Sequence, residues 1–519
     1  MKQILKQIVS VCMALVFLAG CGGQPAGTNP ENNLPEKTFV YGTTGYGVEM
    51  GDEGLNPHSN YSGWSAVRYG VGETLFKFSD SMQPEPWLAE DYEFLDELHV
   101  KITLRDGINF TSGRGMDGLA VKECLDHLLA VHDRAPRDLK IASIEAEGQT
   151  LIITTSEPTP ALIHYLCDPY GAIIDMEYGI QKNSNVAGTG PYQAVSVSDT
   201  EISLVKNKEY WGGMPKADHI LVKSITDGDT LTMGLQSGEI DATYGLPYAS
   251  YALFRDDADY TISSCATSRT FFGQMNYDSP VMQEKAVRQA VCMGIDKEGF
   301  SSVLLENNGV PAVCAYPGSF PFGMGPASPG YDPQGAREIL ANAGWTDTDG
   351  DGYADKNGQK LAIRWLTYPG RQELPLLAEF AQAALKEIGI DVEVNCTASH
   401  LDILNSGAYD VYVSALVTAP TGDPEYFFTS CCLDSSAKNY GSYHNDRMEA
   451  LAAQLHQTFD PEERGKLAVE MQQMILDDDA YFFVSHLQMS IVSKSNISGM
   501  TAHPCDYYEI TADLDINET

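Results

Sequence analysis

The sequence lacks the short patterns that mark common catalytic centres. Its 519 residues contain no GxSxG turn, no HExxH helix and no phosphate-binding loop, which serine hydrolases, zinc proteases and P-loop enzymes respectively require. Its histidine and aspartate residues also lack metal-ligand spacing. A secreted metalloenzyme is therefore only a remote alternative, and we expect a protein that is not an enzyme.

Cysteines show no regular arrangement. Eleven occur in the chain, and Cys12 and Cys21 lie near its start. The others have neither a CxxC pair nor a repeated spacing, so they indicate neither a zinc cage nor a disulfide framework. They are Cys124, Cys167, Cys265, Cys292, Cys314, Cys396, Cys431, Cys432 and Cys505. Free thiols in an exported protein suggest a reducing or anoxic habitat.

Positive charge is scarce. The chain has 33 Lys and Arg residues against 71 Asp and Glu residues, which gives a formal net charge of −38 at pH 7. Binding to nucleic acid or to anionic lipid headgroups would need a basic patch, so the composition argues against both as partners, and we expect no nucleic acid. The acidity is compatible with attraction of cations, and also with plain solubility outside the cell.

The N-terminal segment has the pattern of a secretory signal. Lys2 and Lys6 precede an apolar core over residues 8–18, and small residues follow. The apolar stretch is too short and wrongly flanked for a stop-transfer span. Residues 1–20 are therefore predicted to be a signal peptide, and the mature protein to be extracytoplasmic.

The signal ends in LAGC, which resembles the bacterial lipobox. The resemblance implies cleavage before Cys21 and a diacylglycerol on its sulfur. Acyl chains at about 0.8 kcal/mol per buried CH₂ would then tether the chain to the cell membrane as a lipoprotein. Residues 21–37, rich in Gly, Pro and Asn, are predicted to be a flexible linker. An ordinary signal peptide followed by a chance cysteine is the alternative.

Beyond residue 37, strand-like runs alternate with amphipathic helical patterns, without an internal repeat or a low-complexity block. This alternation predicts a mixed α/β fold. Strand patterns return near the C-terminus, which indicates a lobe built from both ends of the chain with a middle lobe inserted. The main helical patterns cover residues 120–133, 284–305, 332–344 and 460–478.

Arg371 lies at an unfavourable place for a cation. Residues 361–368 predict a strand that a Pro-Gly pair ends, and a helix runs from Leu374 to a terminal glycine, Gly389. The helix dipole disfavours a cation beside the helix start by roughly 0.3–1 kcal/mol. An acidic residue would stabilise the helix there, as Glu373 does, so Arg371 indicates a role other than helix stability: it binds an anion, or it forms an interlobe salt bridge.

Several strings, in the same order, resemble one protein family. They are VGETLFKFSDSMQPEPWLAEDYEF, KITLRDGINFTSGRGMDGLAVKECL, GTGPYQAVSV, LVKNKEYWGGMPKADHI, LQSGEIDAT, KAVRQAVCMGIDKEGF, YDPQGAREILANAGW and AEFAQAALKEIGIDVEV. The family is that of the extracytoplasmic solute-binding proteins of peptide and nickel ABC transporters (family 5). The resemblance covers the chain from about Lys37 to its end.

The resemblance implies a two-lobed, hinged, Venus-flytrap fold of the periplasmic-binding-protein type. Lobe I would comprise residues 38–275, with an extra subdomain at about 82–185, and residues 481–519. Lobe II would comprise residues 276–480. The implied partners are the permease and ATPase subunits of an ABC importer, and no tightly bound cofactor is implied.

The ligand must be decided by local residues, because the family takes peptides, nickel chelates, opines and sugars. Its peptide binders usually carry an aspartate three residues before the DP of a DYPDP string, where it pairs with the peptide's α-ammonium. Pro420 occupies that position here. A buried, unpaired ammonium costs several kcal/mol, which argues against peptides unless a neighbouring carboxylate substitutes.

Three other strings, TYPGRQELP, LNPH and GMTAHPCDYYEIT, resemble a nickel-binding branch of the family. In that branch the arginine clamps carboxylates of a metal chelate, and two histidine-bearing segments would face it. Neutral imidazole suits Ni²⁺, and a planar guanidinium suits spare carboxylates. The implied ligand contacts are Arg371, Tyr368, Tyr507 and Tyr508, and the implied nickel ligands are His58 and His503. The remaining donors would come from a small carboxylate or amino-acid chelator.

These assignments have alternatives. His58 could be simply polar, since LNPH is common in the wider family; His486 is a rival ligand, and His444 is more typical of a loop. The string DTDGDGYAD, residues 347–355, resembles a calcium loop, but Gly358 stands where its glutamate belongs, which favours a solvated turn. The leading interpretation is a lipid-anchored nickel-chelate receptor. The runner-up is an oligopeptide or dipeptide receptor of the same fold.

Overall fold

A long mixed sheet runs through most of the protein. The computed structural model describes residues 37–44, 54–60 and 62–518. The predicted signal peptide, the predicted lipidation site Cys21 and nearly all of the predicted linker lie outside these residues. Every helix in the described ranges is too short or too polar to cross a membrane.

Strands and helices alternate along the described chain, which confirms the predicted α/β class. The strands are β1 (Thr38–Thr43), β2 (Phe76–Phe78), β3 (Pro84–Pro86), β4 (Ala89–Phe94), β5 (His99–Leu104), β6 (Ile141–Glu147), β7 (Thr150–Thr155), β8 (Tyr192–Val197), β9 (Glu201–Lys206), β10 (His219–Ser224), β11 (Ala242–Tyr244), β12 (Tyr260–Met275), β13 (Gly309–Pro311), β14 (Asp355–Lys356), β15 (Gln359–Lys360), β16 (Ala362–Thr367), β17 (Asp391–Cys396), β18 (Val411–Val417), β19 (Tyr481–Lys494), β20 (Ile497–Ser498) and β21 (Asp515–Ile516). The helices are α1 (Ser62–Arg68), α2 (Gly118–Val131), α3 (Ala135–Leu139), α4 (Leu162–Tyr165), α5 (Gly228–Ser237), α6 (Tyr248–Tyr251), α7 (Lys285–Gly294), α8 (Lys297–Gly299), α9 (Pro333–Asn342), α10 (Glu373–Glu387), α11 (His400–Ser406), α12 (Glu425–Cys431), α13 (Asp446–Gln457) and α14 (Pro461–Asp477).

Among the described strands, eleven form one sheet. Its order is β17-β16-β18-β12-β19-β11-β1-β10-β9-β8, with β13 paired to β19 off this path. β1 pairs in parallel with both β10 and β11, and β11 pairs antiparallel with β19. Strands from the two ends of the described chain therefore lie close together in the sheet. The exact boundaries of the predicted lobes stay predictions.

Two long strands, β12 and β19, cross the middle of this sheet. They pair antiparallel along most of their length, and the second half of β12 also pairs with β18. Their register shifts between Ala266 and Thr270, and such bulges bend and twist paired strands. The β12–β19 ribbon thus joins the β1 side of the sheet to the β16–β18 side, with a bend between them.

A separate four-stranded sheet, β4-β5-β7-β6, lies within the predicted extra subdomain. Helix α2 packs on it and buries Val121, Leu125 and Leu128. The Asp117 carboxylate caps the helix by accepting a hydrogen bond from Ala120 N at 2.9 Å. This cap and the apolar face fix which side chains α2 presents to the rest of the lobe.

A second hydrophobic core lies between helices α7, α9 and α10 and strands β12, β16 and β18. Trp365 on β16 is fully buried in it. Helix α10 occupies its predicted place, and Gly389 beyond its end has a φ of +87°. A glycine in the left-handed region is the common way to end a helix, so this prediction is confirmed.

The helix predicted over residues 284–305 is wrong as a single helix. Helix α7 ends at Gly294, and Ile295 is extended, with φ −101° and ψ 116°. The Asp296 carboxylate then starts α8 by accepting a hydrogen bond from Gly299 N. The periodicity of apolar residues continues through the break, and a capping aspartate resembles any polar residue on a helix surface, so the pattern did not show it.

The strings that carry the family resemblance build a buried hydrogen-bond network. The Glu73 carboxylate accepts a bond from Thr189 Oγ1 at 2.7 Å. It also accepts bonds from the Tyr210 hydroxyl at 2.6 Å and from Trp211 Nε1 at 2.8 Å. Burial raises the pKa of Glu73 to about 7, although the three donors favour its charged form. These strings therefore join separate parts of predicted lobe I.

Candidate functional site

A cavity of about 200 Å³ opens beside the bend of the β12–β19 ribbon. Its walls come from both predicted lobes: Trp64 and Tyr507 lie on the lobe I side, and Val417 and Pro420 on the lobe II side. Pro420 brings no charge to this wall. Apolar and aromatic walls with a few polar groups are typical of small-molecule sites, so we take this cavity as the candidate site.

Arg269 lies in the bend itself and lines the cavity. It is half-buried, and its guanidinium has no hydrogen-bond or ion-pair partner among the residues that the structure describes. Burial lowers the pKa of Arg269, and the charge of Arg371 lowers it further. Arg269 is not among the site residues predicted from the sequence. The only signal in the sequence was a lone arginine in SCATSRTFFGQM, a strand otherwise built from small, polar and aromatic residues.

Arg371 stands two residues before α10, as predicted. It is half-buried, and its charge acts on both Arg269 and Tyr248. Within the described part of the chain its guanidinium has no hydrogen-bond or ion-pair partner. The alternative interpretation, a salt bridge between the predicted lobes, therefore has no acidic partner among the described residues. Arg269 and Arg371 are called the arginine pair below.

Two acids near the arginine pair already have partners. The Tyr248 hydroxyl donates to the buried Glu373 carboxylate. Arg68 donates through Nε to the Asp506 carbonyl oxygen at 2.7 Å, and through its guanidinium to the Asp506 carboxylate. Tyr248 belongs to predicted lobe I and Glu373 to predicted lobe II, so their bond also joins the two lobes.

The predicted aromatic contacts Tyr507 and Tyr508 lie on opposite sides of one C-terminal loop. Tyr507 lines the cavity and packs against Trp64, with ring centroids 6.2 Å apart. The Tyr508 hydroxyl accepts a hydrogen bond from Phe78 N at 2.9 Å. Tyr508 lines a second cavity, of about 780 Å³. Only Tyr507 of this pair is therefore placed to contact a ligand in the first cavity.

His503 lines the second cavity and not the first. Its Nδ1 accepts a hydrogen bond from Cys505 N at 3.2 Å and lies 3.1 Å from Cys505 Sγ. Its Nε2 is buried without a hydrogen-bond partner among the described residues and lies 3.8 Å from an Asp80 carboxylate oxygen. Burial lowers the pKa of His503, which favours the neutral imidazole that ligates metals.

His58 is buried against α2. Its Nδ1 lies 2.7 Å from His127 Nδ1, a hydrogen-bond distance, and its Nε2 lies 3.6 Å from Cys124 Sγ. Burial first, and then the charges of His127 and His132, lower its pKa to about 3. His58 lines neither cavity, so the structure does not bring it to the cavity that His503 lines. Over the described ranges, no group of three metal-ligating side chains contains a histidine, and both nickel-ligand assignments stay predictions.

Tyr368 lines a third cavity, of about 160 Å³, on the lobe II side of the sheet. Its ring stacks on that of His400, with centroids 4.6 Å apart. Its hydroxyl lies 3.5 Å from Ala415 N. The three predicted tyrosine contacts, Tyr507, Tyr508 and Tyr368, are thus spread over three cavities.

The rival histidines are engaged elsewhere. His486 is buried, with Nδ1 2.9 Å from Thr270 Oγ1. Burial lowers its pKa to about 3, so it is a neutral core histidine. His444 lies in a loop, as predicted, with Nδ1 3.0 Å from the Asp434 carboxylate.

The acidic turn at residues 347–355 gathers three carboxylates. Oxygens of Asp347, Asp349 and Asp355 lie within 4.8 Å of one another. Asp347 accepts a hydrogen bond from Gly350 N at 2.7 Å, and Asp355 accepts one from Thr348 N at 2.8 Å. The backbone of the turn therefore already supplies partners for these acids.

Comparison with known proteins places this fold in a family context. The chain matches the family model "Bacterial extracellular solute-binding proteins, family 5 Middle" over residues 83–439. It is similar to the nickel-binding protein NikA of Staphylococcus aureus (strain NCTC 8325 / PS 47), 27% identical over 508 residues that cover 97% of this chain and 98% of NikA. It is also similar to the glutathione-binding protein GsiB of Salmonella paratyphi A (strain ATCC 9150 / SARB42), 26% identical over 460 residues that cover 85% of this chain and 88% of GsiB.

Solved structures are similar over the same length. The nickel ABC transporter structure from Bacillus halodurans has a TM-score of 0.85 and 28% identity, and the match covers 93% of this chain and 100% of that one. NikA from Staphylococcus aureus in complex with Ni(L-His)2 has a TM-score of 0.68 and 26% identity, over 92% of this chain and 100% of that one. By their names, these relatives bind nickel or glutathione or belong to a nickel ABC transporter.

Proposed function

The chain belongs to the bacterial extracellular solute-binding proteins of family 5 and has their two-lobed, periplasmic-binding-protein-like fold. On this basis we propose that it captures a chelate of nickel, or of a related transition metal, between its lobes. Lobe closure around the ligand would give the form that the permease and ATPase subunits of an ABC importer recognise. The ligand would be bound and released without chemical change.

The observation that carries this proposal is the state of Arg371. Its side chain is half-buried before α10, its charge acts on the cavity-lining Arg269, and its guanidinium has no acidic partner in the described part of the chain. A charge-assisted bond to a carboxylate is the interaction that such a group lacks. Similarity to Staphylococcus aureus NikA over 97% of this chain supports a metal chelate as the source of that carboxylate.

Nickel would receive most of its donors from the chelator. His503 is the better placed of the two predicted protein ligands, because its Nε2 has no hydrogen-bond partner among the described residues. Since His503 lines the second cavity, ligation in the first would require the C-terminal loop to turn the ring. His58 would have to give up its bond to His127.

We further propose that Cys21 carries a lipid that holds the receptor at the outer face of the cell membrane. The support is the lipobox match in LAGC. The flexible linker at residues 21–37 would leave the lobes free to reach the permease.

A peptide is the second candidate ligand. Similarity to GsiB, a glutathione-binding protein, favours it. Against it, Pro420 lines the cavity without a charge, and Arg68 already binds the nearby Asp506 carboxylate. An α-ammonium would therefore have to compete with Arg68 for that acid.

Isothermal titration calorimetry tests the proposal. We expect Ni²⁺ with excess L-histidine, or with a carboxylate-rich chelator, to bind, and glutathione and a random peptide pool to give no heat. Arg371→Lys should weaken chelate binding about tenfold or more, because an ammonium keeps the charge but loses the planar fork. Micromolar peptide binding without nickel binding would reverse the order of the two candidates.

A further inference from the structure

The second cavity, of about 780 Å³, is separate from the candidate site. The C-terminal loop lies between the two cavities: residues 504–507 line the first, whereas His503 and Tyr508 line the second. The other walls of the second cavity come from the β2–β3 hairpin, from the loop between β9 and β10 and from the turn before β21. All of these segments belong to predicted lobe I, so this cavity does not depend on closure of the lobes.

Aromatic rings form one wall of the second cavity. The ring of Tyr508 stands edge-on to that of Trp87, with centroids 5.6 Å apart and an interplanar angle of 88°, and Tyr210 lines the cavity beside them. Such rings offer apolar contact and faces of negative potential. Among the described residues, Arg105 lies over the ring of Trp211, 5.6 Å from its centroid, but no cation lies over these three lining rings. The wall can therefore receive a cation from outside the chain.

The charged side chains that line the second cavity are mostly acidic. Asp80, Glu85 and Asp513 stand against a single lysine, Lys77. Asp513 lies 3.6 Å from Lys216. Glu85 is exposed and has no hydrogen bond or ion pair among the described residues. The local charge therefore favours a positive ligand over an uncharged or a negative one.

Lys77 is the one charge that opposes such a ligand. It stands opposite Glu85 in the register of β2 and β3. Over the described ranges, however, its ammonium forms no ion pair with that acid or with another. Lys77 therefore leaves the carboxylate of Glu85 available and lowers the affinity of the cavity for a second cation.

We propose that the second cavity binds a small organic diamine. Its ammonium groups would lie against the lining acids and the ring faces, since an ammonium is attracted to both, and its alkyl chain would pack on the aromatic wall. A metal ion would use the acids without the rings, and an uncharged solute the rings without the acids. The proposal goes beyond the nickel function, because the two cavities share no lining residue.

Isothermal titration calorimetry on the mature protein tests this site with cadaverine (1,5-diaminopentane) and its uncharged analogue 1,5-pentanediol. Wild type is expected to bind cadaverine and to give no heat with pentanediol. Glu85→Gln should weaken cadaverine binding by about two- to fivefold, and Lys77→Gln should strengthen it by a similar factor. Trp87→Leu should weaken it by about threefold or more, through loss of the cation–π contact.

Matched controls separate this site from general attraction to an acidic protein. Glu90 is exposed on β4 and does not line the cavity, so Glu90→Gln should bind cadaverine as wild type does. Mg²⁺ is the probe for the acids alone, and Trp87→Leu should leave the response to it unchanged. Trp87 is half-buried, so thermal unfolding checks that Trp87→Leu is folded. The Glu85 and Lys77 variants decide the proposal without it.

The outcomes distinguish this inference from the proposed function. Opposite changes in Glu85→Gln and Lys77→Gln support the diamine site. Equal loss in Glu85→Gln and Glu90→Gln, or no cadaverine binding by wild type at millimolar concentration, overturns it and leaves the nickel receptor standing. Competition between cadaverine and nickel–histidine would place the diamine in the first cavity and would also overturn it. Cadaverine binding that depends on Glu85, without binding of any nickel complex, supports the inference and refutes the nickel function.

Discussion

Glu73 has three hydrogen-bond donors from separate parts of the chain, yet burial still raises its pKa to about 7. Loss of hydration disfavours the charged carboxylate more than the three donors favour it. Between pH 4.5, its ordinary pKa, and pH 7, the folded protein holds a proton that the unfolded chain releases. A rise in pH through this window therefore reduces the stability of the fold.

We expect the free energy of unfolding to report this residue directly. From pH 5 to pH 7, wild type should lose roughly 2 kcal/mol relative to Glu73→Gln, whose side chain does not ionise. Urea denaturation at the two pH values measures the difference. Glu509, whose pKa burial also raises to about 7, is present in both proteins and cancels. Parallel pH profiles of the two proteins would contradict the prediction.

The arginine pair shows which residues of the site a sequence can reveal. Arg371 breaks a local rule, because cations are disfavoured at helix starts. Arg269 breaks no such rule. Its lack of a hydrogen-bond or ion-pair partner among the described residues follows only from the packing of the elements around the bend. His58 is similar in this respect, since nothing in LNPH shows that α2 will present His127 and Cys124 to it.

At the scale of elements, the loop between β18 and α12 carries one glycine that matters for the lobes. Gly422 has a φ of +70°, and a Cβ there would lie 1.9 Å from Met82 O. Met82 belongs to predicted lobe I and Gly422 to predicted lobe II. Met82 and Pro420 line the candidate cavity. The predicted lobes can therefore approach each other beside this cavity only because Gly422 has no side chain.

Gly422→Ala should therefore hold the lobes apart. Gly407→Ala is a matched control, because Gly407 has a φ of +69° and a Cβ added there would meet nothing within 4 Å. Both variants should lose about 1 kcal/mol of stability or somewhat more from the left-handed backbone. Only Gly422→Ala should weaken binding of nickel–histidine, by tenfold or more. In small-angle X-ray scattering with nickel–histidine present, only this variant should have a larger radius of gyration than wild type. Equal binding by the two variants would show that this contact is not needed for closure.

Elements were predictable where their signals are local. Helix α10 follows from its apolar period and its terminal glycine, whereas the break at Ile295 depends on Asp296 acting as a cap. The strand order of the long sheet could not be predicted from the sequence, because the pairing of β11 with β19 joins residues more than two hundred positions apart along the chain. Long-range pairing leaves no mark in the period of either strand.

At the scale of the whole molecule, the net charge of −38 opposes the approach of an anionic chelate of the kind proposed above. An anionic chelate is repelled at long range and attracted only near the cavity. Salt screens the long-range part first, because the Debye length falls from about 30 Å at 0.01 M to about 8 Å at 0.15 M. The association rate and the dissociation rate of the chelate therefore depend on salt for different reasons.

We expect the association rate of nickel–EDTA to rise with ionic strength between 0.01 and 0.15 M, by roughly two- to tenfold. The dissociation rate should rise as well, because salt would weaken the proposed charge-assisted bond between the chelate and Arg371. Stopped-flow fluorescence can follow both rates through Trp64, which lines the cavity. An electrically neutral nickel–histidine complex should show little change in association rate. An association rate for nickel–EDTA that falls with salt would mean that the local positive field dominates the encounter.

The donors around Glu73 belong to the strings by which the family is recognised, and none of them lines the cavity that contains Arg269. The contacts that hold the scaffold and the residues proposed to choose the ligand therefore occupy separate positions. Substitutions at positions such as 269, 371 and 420 would then change the ligand and leave the family strings intact. Membership of the family is therefore a weak guide to the ligand of any one member, as its nickel- and glutathione-binding relatives illustrate.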